Sequence, residues 1–257
     1  MAEQSFTLQE ELILLWLDER SGRLRQTHLQ YALAATALAE MLLHNRLRND
    51  LGRIEIHNAD PLGDDAIDPA LRRIVGSRRT RKLTAWVRHL YLTRRQPVDA
   101  VAARLVERGA VTRRERTALL VIRWADYPVL EPAFGQRLRR RIHNALNSDG
   151  PVDDRLSALI AILHASDGFG NVLDRHEQRE HERRIAAIAA AHEVAFAVGR
   201  ALAEVIREDR EAADHTRRHV IIVRPGRPRG PRRPPRSGDP TFPGEPPGPN
   251  RPWRHAD

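Results

Sequence analysis

Leu12, Ile13, Leu14, Leu15, Trp16 and Leu17 form an unbroken apolar run directly behind a Thr7-x-x-Glu10 pair. Threonine followed three residues later by glutamate lets side chains and free amides at a helix start satisfy each other, so the pattern predicts a capped helix, buried on most sides, that ends near Asp18. Ser21-Gly22 breaks the chain. Leu29, Leu33, Ala37 and Met41 then recur at three- and four-residue spacing, with Glu40 and His44 outside the stripe, which predicts a second core helix over 29–43. Residues 52–57 alternate with period two and predict a short strand, and Asp60-Pro61-Leu62-Gly63-Asp64 predicts a turn. Helices are expected at about 66–76, 81–93 and 97–108, the last stopped by Gly109 just past its C-cap. Two apolar runs, 119–122 and 127–130, flank Arg123-Trp124-Ala125-Asp126 and predict a hairpin with an aromatic tip. A basic amphipathic helix over 134–146 follows. Asp153 or Asp154 is placed to cap a helix over 156–165 that is apolar nearly all round and therefore central. Two further helices, 171–189 and 191–209, complete the body.

These elements amount to a mainly α fold, a single globular helical domain over residues 1–210 with a projecting β-hairpin. Residues 211–223 read as a linker. From 224 to 257 the chain holds eleven prolines and little to bury, the composition of a disordered tail with polyproline II character. Eight of the tail's residues are arginine against three acids, so it carries +5 of the chain's formal +9. The rest of the molecule is only modestly basic, and a basic surface has to come from particular clusters.

Little in the sequence suggests catalysis. P-loop, nucleophile-elbow and dinucleotide signatures are missing. With no cysteine, thiolate metal sites and disulfides are ruled out, in keeping with a reducing cytoplasm. His176 and His181 are five residues apart, about 140° around a helix, which is too far for both to reach one metal. His215 and His219 have helical spacing but no third ligand, and His164 reads as a hydrogen-bonded core histidine. No cofactor, metal or catalytic residue is therefore assigned. The N-terminus lacks the apolar segment of a signal peptide, and no apolar run approaches the roughly 20 residues that span a bilayer. Any membrane contact should be peripheral, on the inner face of a membrane.

Arginine clusters are the remaining signal: Arg23 with Arg25, Arg78-Arg79 with Arg81-Lys82, Arg94-Arg95, Arg113-Arg114 with Arg116, and Arg139-Arg140-Arg141. All but one of the 43 basic residues are arginine, the side chain whose planar fork matches phosphate oxygens. Arginines beside an aromatic hairpin suit an anionic bilayer, where rings settle at headgroup level and cations meet lipid phosphate. The alternative is a winged-helix nucleic-acid binder, with the segment around Arg113 to Arg116 on DNA and the hairpin as wing.

Several segments, taken together, resemble the Golgi phosphoprotein 3 family, in the manner of a bacterial-type member. They are the opening Thr7-Leu8-Gln9-Glu10-Glu11-Leu12, the Pro61-Leu62-Gly63-Asp64 turn, Arg104-Leu105-Val106-Glu107-Arg108-Gly109, Tyr127-Pro128, and Arg155-Leu156 with Ala158-Leu159-Ile160 and His164-Ala165-Ser166-Asp167. The resemblance runs from about Phe6 to residue 205. It implies a helical domain with a projecting hairpin that binds phosphatidylinositol 4-phosphate in a basic pocket on a membrane-facing surface. The positions matching the family's pocket tryptophan and three arginines are Arg25, Ala34, Arg95 and Val98. Arg95 keeps the arginine, and Arg23, Arg25 and Arg94 are the cations placed to join it as lipid-binding residues. Ile122, Trp124, Tyr127 and Val129 are the hairpin residues expected to insert into membrane or to join copies of the chain as a homo-oligomer.

Overall fold

The computed structural model describes residues 6–219 apart from 20, 25, 92–95 and 119–121, and leaves out the side chains of 91, 96, 97, 118, 122–124 and 216–219. Among the described residues are ten α-helices and two separate antiparallel hairpins. The helical body belongs to one unit that ends at Thr216.

Helix α1 (Leu8–Trp16) is the axis of the core, and each of its nine residues is buried. Its capping box forms as the sequence predicts: Thr7 Oγ1 accepts from the Glu10 amide at 3.3 Å and Glu10 Oε2 from the Thr7 amide at 2.7 Å. Helices α2 (Leu29–Leu43), α5 (Gln96–Glu107), α6 (Pro132–Leu146) and α7 (Asp154–Ala165) pack around it. Such a helix can have no polar face, which explains why its apolar residues run without a period. Trp16 closes its end by donating from Nε1 to the Gly168 carbonyl at 2.8 Å. A Cβ on Gly168 would lie 2.6 Å from the Trp16 ring, so only glycine lets the indole seat there. Asp153 caps α7 by accepting from the Leu156 amide at 2.9 Å.

Buried carboxylates hold the start of α1 in register with its neighbours. Glu40 on α2, almost fully buried, accepts from the Leu8 amide at 2.6 Å, where the helix dipole favours negative charge. Glu10 lies 3.3 Å from Arg104 Nε and 3.2 Å from Arg108 Nε, both guanidiniums coming from the end of α5. The Pro61-Leu62-Gly63-Asp64 turn joins the same network. Asp68 accepts from the Leu62, Gly63 and Asp64 amides at 2.8, 3.1 and 3.1 Å, Asp64 accepts from Ala66 and Ile67, and Asp64 also pairs with Arg104. These bonds start α3 (Asp68–Val75), whose buried residues are Asp68, Leu71 and Ile74. Helix α4 (Leu83–Tyr91) then packs on α2.

The structure departs from the sequence expectations at several elements. The strand over 52–57 is one half of a hairpin, β1 (Leu47–Asp50) with β2 (Arg53–Ile56), because Asn45 and Leu51 take positive φ and turn the chain where polar residues hid the first strand. The second hairpin is β3 (Arg114–Ala118) with β4 (Ile122–Asp126), so Arg123 to Asp126 lie in a strand, not at a tip, and residues 119–121 lie outside the described residues. The charged strand Arg114-Glu115-Arg116-Thr117-Ala118 carries no apolar alternation, and the neighbouring apolar run drew the expected boundary forward.

The helix expected over 171–189 is split into a 3-10 turn (Gly168–Asn171), α8 (Arg175–Glu180) and α9 (Glu182–Ala191), since Asp174 and Glu177 make a second capping box. Helix α10 (Glu193–His219) meets α9 at 116° and runs on through 211–219, the first part of the expected linker. The corner between them is His192, whose Nδ1 is 2.6 Å from Asp154 and whose Nε2 is 2.8 Å from the Val152 carbonyl. His164, expected in the core, is exposed on α7. No single helix among the described residues is long and apolar enough to cross a membrane.

Candidate membrane-binding surface

Arg23 stands on a tight loop between α1 and α2. The Gly22 amide donates to the Asp18 carbonyl at 2.8 Å and the Asp18 amide to the Arg23 carbonyl at 3.1 Å. The loop is pinned to the exit of β4, where the Tyr127 amide donates to the Gly22 carbonyl at 2.7 Å. Gly22 has φ +67, and a Cβ there would lie 2.3 Å from Pro128 N, so neither its backbone conformation nor its surroundings admit a side chain.

That contact joins Arg23 to the second hairpin through a residue the sequence reading passes over. Asp126, 1% exposed, faces Arg23 Nε at 3.4 Å and Arg116 Nε at 3.1 Å. Its Oδ2 takes the hydrogen bond from Arg116, while its Oδ1 has only the ionic contact with Arg23. A carboxylate at the end of an apolar strand is the sequence signal for such an anchor, because a buried acid needs a paired cation. Arg23 is thus already paired within the protein, and its side chain remains 43% exposed.

The hairpin residues divide into two groups. Tyr127 is buried, its hydroxyl 3.5 Å from Asp99 Oδ1, and burial beside that carboxylate pushes its pKa above the ordinary tyrosine value. Val129 bridges Val111, the Thr112 amide donates to the Pro128 carbonyl at 2.9 Å and the Leu130 amide to the Ala110 carbonyl at 3.0 Å. Tyr127 and Val129 therefore form the base that fastens the hairpin to the end of α5, which corrects the expected place of Tyr127 at an exposed tip. A strand that leaves the body starts against core, so the aromatic nearest the body is buried. Trp124 and Ile122 belong to β4, in register with Arg116 and Ala118, and their side chains lie outside the described residues.

Arg25, Arg94 and Arg95 lie outside the described residues as well. The remaining two positions matched to the family pocket are described. Ala34 on α2 lines a cleft of about 490 Å³ whose wall includes Leu33, Ala37 and Leu90 and whose charged groups, among the described residues, are Asp65, Asp99 and Arg73. Val98 is half-buried on α5, next to Asp99. Among the described residues, one guanidinium against two carboxylates leaves this part of the cleft unsuited to a polyphosphate.

Several arginine clusters prominent in the sequence are used within the fold. Arg139 donates to Glu19 at 2.7 Å and to the Asn171 carbonyl at 3.2 Å, Arg141 lies between Asp153 and Glu11, and Arg137 stacks on Phe134 at 4.8 Å. Planar guanidinium serves these internal pairs as well as it serves phosphate, so arginine content alone could not distinguish the two uses.

A family model described as Golgi phosphoprotein 3 (GPP34) matches residues 8–208. No curated protein matches the chain. Matched from the capped start of α1 into the second half of α10, the chain belongs to the Golgi phosphoprotein 3 family, known as peripheral membrane proteins that bind phosphatidylinositol 4-phosphate and catalyse no reaction.

Proposed function

We propose that this protein docks on the inner, cytoplasmic face of a membrane and binds anionic phospholipid, a phosphoinositide among its ligands, through Arg95 together with Arg94, Arg25 and Arg23. The observation that carries this reading is the family match over nearly the whole helical body. With Ala34 and Val98 in place of two family arginines, the headgroup is held by a guanidinium fork on one phosphate and not by a closed basic pocket. Ile122 and Trp124 on β4 insert into the bilayer or join a second copy of the chain, with Tyr127 and Val129 as the base of the hairpin. Each arginine near an anionic surface contributes about 1 kcal/mol, so four supply roughly a thousandfold in affinity.

Flotation with vesicles of matched surface charge, containing either phosphatidylinositol 4-phosphate or phosphatidylserine, tests the reading. Arg95→Ala should lower binding to the phosphoinositide vesicles more than to the others. An equal fall in both would leave only nonspecific electrostatics, and no binding to any anionic vesicle would end the proposal. Duplex DNA as competitor separates the nucleic-acid alternative, since salt dependence is common to both polyanions.

A further inference from the structure

Hairpin β1–β2 turns through two residues, Leu51 and Gly52, between the paired Asp50 and Arg53. Both have positive φ, +47 and +85, the geometry of a type I′ turn. Asparagine followed by glycine is the favoured pair for that turn, because asparagine tolerates the left-handed region and its side chain is at home in water. Leucine here is unsuited on both counts. It is strained by its backbone conformation and it is 97% exposed, the most exposed large apolar residue among those described.

The tip is also rigid. The Leu83 amide donates to the Gly52 carbonyl at 2.9 Å and the Ile54 amide to the Arg81 carbonyl at 3.0 Å, while Arg53 bridges Lys82, so the start of α4 holds the hairpin as a third strand would. Leu47 and Ile54 are buried beneath it. Inserting Leu51 into another phase would therefore require no further ordering of the chain.

Charge around the tip has one predominant sign. Residues 46–57 and 77–83 contain seven cations against the two carboxylates of Asp50 and Glu55. Each of those acids stands across the ladder from an arginine, Asp50 from Arg53 and Glu55 from Arg48. Among the described residues none of Arg48, Arg53, Arg78, Arg79 and Lys82 makes an ion pair with a carboxylate, in contrast to the arginines of α5, α6 and α7.

We propose that hairpin β1–β2 is a second membrane contact of this protein, in which Leu51 enters the headgroup region of an anionic bilayer while Arg48, Arg53, Arg78, Arg79 and Lys82 meet lipid phosphate. The inference rests on the reading of the protein as a peripheral membrane binder and assigns it a contact separate from Arg95 and from hairpin β3–β4. A bilayer is the occupant because it offers what the tip carries, anionic charge outside and hydrocarbon just beneath. Nucleic acid would use the cations and gain nothing from an apolar residue thrust beyond them.

The chain lacks cysteine, so Leu51→Cys supplies a single thiol for an environment-sensitive fluorophore. With vesicles of phosphatidylcholine and phosphatidylserine in a 4:1 ratio, a ratio chosen as roughly that of an anionic leaflet, the label should brighten and shift to the blue. Phosphatidylcholine alone should leave it unchanged. Leu51→Asn should bind the anionic vesicles about tenfold or more weakly, while its melting temperature rises by ~2–4 °C as the strain is relieved. Arg78→Ala with Arg79→Ala should lower the same binding about 30-fold.

If the parent protein binds these vesicles, but Leu51→Asn binds equally well and the label does not respond, the hairpin is no contact and the reading built on Arg95 stands alone. If the parent protein binds no anionic vesicle, both fall. A Leu51→Asn variant that loses duplex-DNA binding in the same proportion as vesicle binding would also overturn the assignment.

Discussion

Arg155 Nη1 donates to Glu40 Oε2 at 2.9 Å, tying α7 to α2 across the start of α1. The other Glu40 oxygen accepts from the Leu8 amide, and Arg155 Nη2 donates to the Phe6 carbonyl at 2.6 Å. One guanidinium and one carboxylate thus close the end of the central helix. Arg155→Leu strands Glu40 in the interior without its cation and should destabilise the fold by about 3–5 kcal/mol. Glu40→Gln keeps an acceptor for Leu8 and should cost less, about 1–2 kcal/mol. Urea unfolding of the two variants measures the difference, and equal losses would show that the pair does not act as described.

Glu11 adds a pH dependence. Burial pushes its pKa up to about 7 from 4.5, against the opposing pull of Arg155 and Arg141. Between those two values the folded protein holds a proton that the unfolded chain has released. The associated stability is therefore fully present below pH 4.5 and is lost as pH rises through 7, a loss of at most ~3 kcal/mol. Glu11→Gln should remove this component, so the melting temperature of the variant should fall less than that of the parent between pH 5 and pH 8.

Glycines at positive φ should respond very differently to alanine. At Gly22 the added Cβ meets Pro128 and Tyr127 backbone, so Gly22→Ala should cost more than ~2 kcal/mol and loosen the base of hairpin β3–β4. At Gly63, where nothing lies within 4 Å, only the left-handed conformation is penalised, at about 1 kcal/mol. Denaturant midpoints of the two variants give this comparison directly.

Tyr127 and Trp124 should separate stability from membrane binding. Tyr127→Ala removes a buried ring from the hairpin base and should cost about 3 kcal/mol or more. Trp124→Ser should lower vesicle binding or self-association at nearly unchanged stability if β4 meets the bilayer or a second copy. Thermal unfolding and flotation on the same preparations test both, and a large stability loss from Trp124→Ser would place that ring in the core instead.

The sequence by itself determined the class of fold and the positions of its strongest elements, because they are written in local rules. Thr7 and Glu10 cap α1 within one turn, the apolar run behind them needs burial on all sides, and Asp153 caps α7 through its own neighbours. The family likeness was equally legible, since it rests on short segments. Tertiary structure alone decided which charges face water. Nothing near Arg155 in sequence points to Glu40, 115 residues away, and nothing near Arg23 points to Asp126. It also set the frame of hairpin β3–β4, because the polar strand β3 is held by pairing with β4 and not by an apolar face of its own. Leu51 looks ordinary in the sequence, and its place at the head of a strained turn emerges only once β1 finds β2. Backbone periodicity and capping act over a few residues and can be read along the chain, whereas ion pairing and exposure depend on which distant segments the fold brings together.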